Sequence, residues 1–228
     1  MLPTVAVVIP VLFDTEAASA VLASLRPSSA IEIIVVDGAD DPRLAAITSA
    51  HGGVTLVHSA RGRGRQMNAG ASAATAGWLL FLHADSVLPT GWLTAIDGLD
   101  DDVIGGWFRF ALDDAAWQAR VIERLTAWRV DWLRLPYGDQ GLFVRRHVFE
   151  QLGGFQDIPL MEDVEFVRRL VRAGRVIGLP LPLVTSARRW RRDGWFRRSA
   201  HNLLLVMSYF AGINIERLAR WYRSAGQR

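Results

Sequence analysis

The chain has 228 residues, of which 50% are apolar and 21% are charged, which is enough for one sizeable core and too little for two comfortable domains. It contains no cysteine, so disulfides, thiolate catalysis and cysteine-bound zinc are excluded, and a reducing, cytoplasmic setting is expected. All 26 lysine-or-arginine positions are arginine, yet the formal net charge is only +3, so the basic residues do not by themselves indicate a nucleic-acid partner.

The sequence has neither the pattern of a secretory signal nor that of a membrane span. The N-terminal apolar stretch follows no basic region and is interrupted by Pro10 and Asp14, unlike a signal peptide. The longest apolar run, 203–213, is far shorter than the roughly 20 residues that span a bilayer. The protein is therefore expected not to cross a membrane by itself.

The first part of the chain alternates short β-branched runs with helical stretches. The predicted strands cover 5–9, 31–36, 54–57 and 78–82, with Pro10 ending the first, and the predicted helices cover 15–25, 42–50 and 66–76. Continuous apolar strands separated by helices predict a parallel sheet with helices on both faces.

The pattern changes after the fourth strand. The predicted elements there are an alternating, antiparallel-type strand at 105–112, a long amphipathic helix ending near Leu133, and a helix at 162–173. We interpret the chain as one mixed α/β domain, residues 1–190, followed by a C-terminal helical appendage, residues 191–228.

Polar clusters follow the carboxyl ends of three predicted strands. Asp37 and Asp40 follow the second strand, the arginine-rich segment 61–68 follows the third, and residues 83–86 follow the fourth. Each cluster alone would be an ordinary turn, solvated loop or helix cap. Ligands of parallel sheets bind beyond these strand ends, so the clusters together predict one site with carboxylates for a divalent cation and arginines for phosphate. A nucleotide diphosphate needs this combination because its leaving pyrophosphate is multiply charged.

Short motifs in a fixed order resemble those of family 2 glycosyltransferases with the GT-A fold. They are Val-Val-Ile-Pro at 7–10, Ile-Ile-Val-Val-Asp-Gly at 33–38, Leu-Phe-Leu-His-Ala-Asp at 80–85 and Glu-Asp at 162–163. The resemblance covers about residues 4–190, and residues 138–140 and 185–190 are most similar to those of short, soluble bacterial members. It implies a Rossmann-like GT-A domain with a mixed, mostly parallel sheet flanked by helices.

The same resemblance implies an activity. The expected reaction transfers a sugar from a UDP- or GDP-linked donor to an acceptor hydroxyl on a small molecule, glycan or lipid. The resemblance also implies a divalent cation, Mn²⁺ or Mg²⁺, and inversion at the anomeric carbon by direct displacement.

The resemblance assigns roles residue by residue. It implies that Asp37 holds the nucleoside end of the donor, that Asp85 binds the metal and that Asp163 deprotonates the acceptor, with Glu162 a weaker candidate for the same task. The other residues predicted to bind the nucleotide sugar are Pro10, Asp40, Arg63, Gln66, Asn68, His83 and Ala84. The residues predicted to form a loop that meets donor and acceptor are Asp139, Gln140, Arg189 and Trp190.

Two of these positions have alternative interpretations. His83 stands where the D-x-D-type motif has its first aspartate, so its ring is a second metal ligand, a ribose contact or a buried group satisfied by backbone. For Asp163 the alternative is a structural role, because an acidic pair at the start of a helix is favoured by the helix dipole. We predict the catalytic role, since a helix N-terminus presented into a cleft holds a base in a fixed place.

The segment 188–198 is dense in arginine and aromatic residues and precedes the apolar run 203–213. This pattern is typical of an interfacial amphipathic helix, which predicts a peripheral contact with the inner face of the membrane. A helix packed on the domain, or in a homodimer contact, explains the same pattern equally well.

Three other classes of protein explain the sequence less completely. A sugar nucleotidyltransferase needs a glycine-rich, lysine-containing loop after the first strand, where this chain has Pro-Val-Leu-Phe at 10–13. A dinucleotide-binding dehydrogenase needs a third glycine after the pair at 62–64, and that loop follows the third strand rather than the first. A non-enzymatic arginine-rich binder of nucleic acid or membrane surfaces leaves the carboxylates at the strand ends unexplained.

Overall fold

The chain folds around one mixed sheet of eight strands with helices on both faces. The computed structural model describes residues 4–226, with side chains described as far as residue 222. The strands are β1 (Val5–Val11), β2 (Ile31–Asp37), β3 (Val54–His58), β4 (Trp78–Phe81), β5 (Ser86–Val87), β6 (Val103–Leu112), β7 (Leu142–Arg145) and β8 (Arg175–Thr185). The helices are α1 (Thr15–Ser24), α2 (Pro42–His51), α3 (Arg63–Ala73), α4 (Trp92–Asp97), α5 (Trp117–Leu133), α6 (Arg146–Gln151), α7 (Glu162–Ala173), α8 (Arg188–Asp193), α9 (Trp195–Phe210) and α10 (Ile215–Gly226).

The strands lie in the order β3-β2-β1-β4-β7-β6-β8-β5. The four predicted N-terminal strands are parallel neighbours, with β1 between β2 and β4 and with β3 outside β2. Strand β7 runs antiparallel between β4 and β6, β8 is parallel to β6, and the short β5 is antiparallel to β8. The expected α/β fold with a mixed, mostly parallel sheet flanked by helices is therefore confirmed.

Alternate residues of the central strands enter two different cores. Val5, Val7 and Ile9 of β1 pack in a core that includes buried residues of α1, α2 and α4. Ala6 and Val8 pack on the opposite face with residues of α3, α6 and α7. Because both faces are covered, the strands have continuous apolar sequences rather than alternating ones.

Two boundaries of secondary-structure elements, the end of β1 and the beginning of α3, were predicted wrongly. Pro10 does not end β1. It lies beyond the residues of β1 that pair with β4, so its missing N–H removes no hydrogen bond between these two strands. Helix α3 begins at Arg63 rather than at Gln66, directly after Gly62, whose φ of 138° is not helical. Arg63 consequently lies in the first turn of a helix and not in a loop.

The second half of the sheet differs more from the prediction. Strand β6 is antiparallel to β7 only near its start and is parallel to β8 along most of its length, with two irregularities in register. Strands β7 and β8 were not predicted. Pro180 and Pro182 lie within β8, and proline inside a run argues against a strand in sequence-based reasoning.

The C-terminal helices pack against the start of α7. Leu205 and Val206 of α9 and Leu218 of α10 share a small core with Met161 and Val164. The segment predicted as an appendage therefore contributes to a core of the domain, and the division of the chain at residue 190 stays a prediction. No helix within residues 4–226 is long and apolar enough to cross a membrane.

Candidate active site

A cleft opens beyond the carboxyl end of β4, between the start of α7 and the C-terminal helices. Eight of the residues predicted from the sequence line it, and they are Arg63, His83, Asp85, Asp139, Glu162, Asp163, Arg189 and Trp190. Six other polar or aromatic lining residues were not predicted as site residues, and they are Tyr137, Thr185, Ser186, Arg198, Asn202 and Tyr222. Arg198 and Asn202 lie on α9 and Tyr222 lies on α10, so these three reach the cleft only through long-range packing that no local motif reveals.

Asp163 is held in the cleft by backbone amides. The amide of Gly138 donates to its Oδ2 at 2.6 Å, and the amide of Val164 donates to its Oδ1 at 2.7 Å. A Cβ on Gly138 would overlap the guanidinium of Arg63 and lie 3.0 Å from Oδ2 of Asp163. The glycine therefore permits the close approach of this loop to Arg63 and Asp163, and each carboxylate oxygen of Asp163 keeps a second lone pair for a ligand.

The residue before this acidic pair has an uncommon backbone conformation. Met161 precedes α7 with a φ of 66°, in the left-handed region that non-glycine residues rarely adopt. Its buried side chain packs with Leu205 and Val206 of α9. The C-terminal helices therefore help to fix the turn from which Glu162 and Asp163 enter the cleft.

Glu162 is buried beside Asp163 and lies 3.6 Å, Oε1 to Nε, from Arg63. Burial and the neighbouring Asp163 charge raise its pKa to about 7, against the opposing effect of Arg63. Glu162 therefore holds a proton at pH values below about 7.

Asp139 is a second perturbed carboxyl group. Burial raises its pKa to about 6, with Asp163 and Asp85 adding to the rise and Arg129 and Arg63 opposing it. Its Oδ1 is buried and makes no hydrogen bond to any part of the chain that the structure describes. An unpaired buried oxygen in a cleft is a group that a ligand would satisfy, which supports the predicted place of Asp139 in the site.

His83 connects Arg63 to Asp85. The Arg63 guanidinium lies against Nε2 of His83, and Nδ1 lies 3.9 Å from Oδ1 of Asp85. Burial and the charges of Arg63 and Arg189 hold the His83 pKa well below its usual value, so the ring is neutral. A neutral ring can accept the Arg63 guanidinium at Nε2 while Nδ1 carries the proton. This geometry disfavours His83 as a metal ligand, because a cation at Nε2 would compete with Arg63.

Asp85 is the residue best placed for the predicted cation. Within residues 4–226 no three histidine or acidic side chains are grouped so as to bind a metal on their own. Mg²⁺ and similar ions are commonly held by one or two carboxylates together with substrate phosphates and water. The half-buried Asp85 lines the same cleft as Asp139, whose Oδ1 is unpaired, and this pair of carboxyl groups fits such an ion.

Two predicted ligands of the donor shape the strand ends. Asp37 is buried, and its two carboxylate oxygens accept the amides of Ala39 and Asp41, each at 2.8 Å. Gln66 is buried and donates Nε2 to the carbonyls of Val11, at 2.8 Å, and Val36, at 3.1 Å. Asp37 thus orders the loop after β2, and Gln66 ties β1 to β2.

Other predicted residues lie at the margins or support the loops. Asn68 makes a reciprocal pair with the backbone of Phe155, and buried Gln140 donates to the Phe108 carbonyl at 3.2 Å. Asp40 is exposed and pairs with Nδ1 of His58 at 3.0 Å. Pro10 lines a narrow extension of the cleft. Ala84 packs against the core beneath the cleft. Trp190 is buried, and its Nε1 donates to Ser199 Oγ.

The fold is that of the GT-A type, and the family match identifies the chain as a glycosyltransferase. The chain belongs to glycosyl transferase family 2, whose family model matches residues 6–153. Asp139 lies within this match, whereas Glu162, Asp163 and the C-terminal helices lie outside it.

Two solved structures share the fold. The mannosyltransferase PcManGT from Pyrobaculum calidifontis, in complex with GDP-Man and Mn²⁺, has a TM-score of 0.66 and 18% identity, covering 92% of this chain and 65% of that one. TarS 1-349 of S. aureus, in complex with UDP-GlcNAc, has a TM-score of 0.61 and 16% identity, covering 80% and 58%. This chain therefore spans less than two thirds of either neighbour, and at these identities the likeness shows the fold alone. No curated protein matches the sequence.

Proposed function

We propose that this protein transfers a sugar from a UDP- or GDP-linked donor to an acceptor hydroxyl, with inversion and with the help of a divalent cation. The observation that carries the proposal is the carboxylate of Asp163, fixed at the start of α7 in the same cleft as Asp85 and Arg63. Membership of glycosyl transferase family 2 supports the reaction class. The nucleotide sugars bound to PcManGT and TarS support the donor class.

The donor diphosphate would lie at the positive side of the cleft. Arg63 and Arg189 line it there, and guanidinium groups suit phosphate oxygens because they offer paired N–H donors. Asp85 would hold Mn²⁺ or Mg²⁺, with Asp139 nearby as a further oxygen. When bound, the cation neutralises charge that develops on the leaving diphosphate.

Asp163 would act on the acceptor. Its carboxylate takes the proton of the acceptor hydroxyl while that oxygen forms a bond to the anomeric carbon. The bond from that carbon to the diphosphate oxygen breaks on the opposite face, so the configuration inverts and the nucleotide diphosphate leaves with the electron pair. The amides of Gly138 and Val164 hold the base during this step, which limits the motion needed to reach the transition state.

The first test is a panel of UDP- and GDP-sugars with soluble hydroxyl acceptors, read by release of the nucleotide diphosphate. Removing a general base typically costs about 10²–10⁴-fold in rate, so Asp163→Asn should lose turnover while nucleotide diphosphate still stabilises it thermally. Asp97→Asn, at the exposed end of α4, is the matched control and should keep the wild-type rate. Unchanged turnover in Asp163→Asn contradicts the assigned role, and failure of every donor contradicts the proposed reaction.

A further inference from the structure

Helix α5 has an apolar stripe on the side that faces away from the protein. Ala119, Ile122 and Val130 are buried on its inner side. The opposite side carries, at helical spacing, Trp117, Val121, Leu125, Trp128 and Trp132. Trp128 is 60% exposed and Trp132 is 74% exposed. A surface helix ordinarily has polar residues in these positions, so core packing does not account for the stripe.

Helix α9 has the same arrangement. Leu205 and Val206 are buried on its inner side, and the outward side carries Phe196, Ala200, Leu203, Met207 and Phe210. The two outward stripes meet where the rings of Trp117 and Phe196 lie 5.8 Å apart between centroids. We call this combined surface of α5 and α9 the apolar face. Contiguous exposed apolar surface of this kind marks an interaction site, whereas single exposed residues do not.

The exposed charges around the apolar face are mostly positive. The exposed charged residues of α5, of its C-cap and of α9 are Arg120, Arg124, Asp131, Arg134 and Arg197. Arg120 pairs with Glu123, but Arg124 and Arg134 form no ion pair with any residue the structure describes. These two guanidinium groups are therefore available to an anionic partner.

The arginine-rich segment 188–198 is less available than the sequence suggested. Arg188, Arg191, Arg192 and Arg198 are paired with aspartates within the chain. The indole of Trp190 is buried. The predicted cluster is thus largely neutralised internally, and the free apolar and cationic surface lies on α5 and the outer side of α9.

We propose that the apolar face docks on the surface of an anionic lipid bilayer without spanning it. Indole and phenyl rings favour the interfacial region, and arginines that flank them are attracted to the negative headgroups. A second copy of the chain fits less well, because a two-fold interface uses the same patch on both subunits, and the exposed charges of this patch are four arginines and one aspartate.

Docking in this orientation has a consequence for the acceptor. The inner side of α9 lines the cleft through Arg198, Asn202 and Leu205, while its outer side belongs to the apolar face. The cleft would therefore lie behind α9, roughly one helix diameter of 10–12 Å from the docked surface, and we infer that the acceptor hydroxyl is carried by a lipid. This consequence rests on the proposed function, whereas docking itself does not.

The test is co-sedimentation of the full chain with phosphatidylcholine vesicles, with and without phosphatidylglycerol, at low and high salt. The wild type should bind the anionic vesicles and be released by high salt. The double variants Trp128→Gln/Trp132→Gln and Arg124→Glu/Arg134→Glu should each lower the partition coefficient by about tenfold or more. Val87→Gln, an exposed apolar position on β5, is the control and should bind as the wild type does.

Two further measurements distinguish membrane docking from a homodimer and from loss of folding in the variants. Sedimentation velocity without lipid should show a monomer, and a dimer that Trp128→Gln/Trp132→Gln dissociates would overturn the proposal in favour of a homodimer. Absence of binding to anionic vesicles at low salt would also overturn it. Thermal stabilisation by nucleotide diphosphate, measured without vesicles, shows that each variant is folded and reports the proposed function separately.

Discussion

Asp85 provides a prediction at the scale of a single residue. If its carboxylate holds the cation that meets the donor diphosphate, binding of UDP or GDP requires Mn²⁺ or Mg²⁺. EDTA should then abolish the thermal stabilisation by either nucleotide, and Asp85→Asn should reproduce the effect of EDTA in the presence of metal. His83→Asn should keep the metal dependence, because Nε2 of His83 already faces Arg63. Equal stabilisation with and without EDTA would exclude this role for Asp85.

Gly138 provides a second prediction, because its lack of a side chain brings two functional groups together. A Cβ at this position would overlap Arg63 and crowd Oδ2 of Asp163. Gly138→Ala should therefore displace the base and lower turnover by roughly 10²-fold, an effect expected of a misplacement near 1 Å. Gly153→Ala is a useful contrast, since a Cβ there meets nothing, although its φ of 74° adds backbone strain. A Gly138→Ala variant with the wild-type rate would show that the close approach is not needed.

Glu162 predicts how stability depends on pH. Its pKa is raised from 4.5 to about 7, so between these values the folded state holds a proton that the unfolded state has lost. The resulting contribution to the free energy of unfolding is fully present below pH 4.5 and is lost as pH rises through 7. Glu162→Gln should therefore lessen the decline in stability between pH 5 and pH 8 by roughly 1 kcal/mol or more.

The measurement is urea unfolding of the metal-free protein at the two pH values. Some decline should remain in the Glu162→Gln variant, because the pKa of Asp139 is raised in the same direction. Glu165→Gln, on the same helix, is the control. An identical decline in Glu162→Gln and in the wild type contradicts the predicted titration.

At the scale of secondary structure, the sequence predicted those elements whose signal is local. Strands β1 to β4 are short apolar runs separated by helical stretches, so their positions and their parallel direction, although not their order in the sheet, followed from pattern alone. Helix α7 has a clear amphipathic stripe and was also predicted correctly. Strand β8 was missed because Pro180 and Pro182 suggest a break, and β7 because four residues carry too little pattern.

The residues of the candidate site divide in the same way, into those marked by local sequence motifs and those whose contacts depend on long-range packing. Asp85 and Asp163 were predicted because the short motifs that contain them resemble those of family 2 glycosyltransferases, and both line the cleft. The contact between Gly138 and Asp163 joins positions 25 residues apart, and Gln66 spans 55 residues to reach Val11. Such pairings depend on how the helices pack on the sheet, so no local pattern could show that Gln66 ties two strands rather than lining the cleft.

At the scale of the whole molecule, the C-terminal helices link the fold to the site. Leu205, Val206 and Leu218 bury Met161 and Val164, so α9 and α10 support the turn that precedes the acidic pair. They also form one side of the cleft through residues such as Asn202 and Tyr222. Under the proposed function, we infer that this segment completes the acceptor side of the cleft.

A shortened chain that ends at residue 190 tests this view. Removal of α9 and α10 would expose Leu135, Met161 and Val164, and loss of buried apolar area costs about 25 cal/mol per Å². The shortened protein should unfold at a lower temperature and lose turnover through the displaced Asp163. Its sheet and strand ends should still allow stabilisation by nucleotide diphosphate with metal.

Leu205→Ala in the full chain is the companion variant, because it weakens the same core without removing any charged group of the cleft. A buried leucine changed to alanine typically loses about 2–5 kcal/mol of stability. If α9 positions the base, Leu205→Ala should lower turnover at temperatures where the protein remains folded, with little change in the affinity for nucleotide diphosphate. Full turnover in the folded shortened chain would show instead that residues 191–228 are a separable appendage, as the sequence alone suggested.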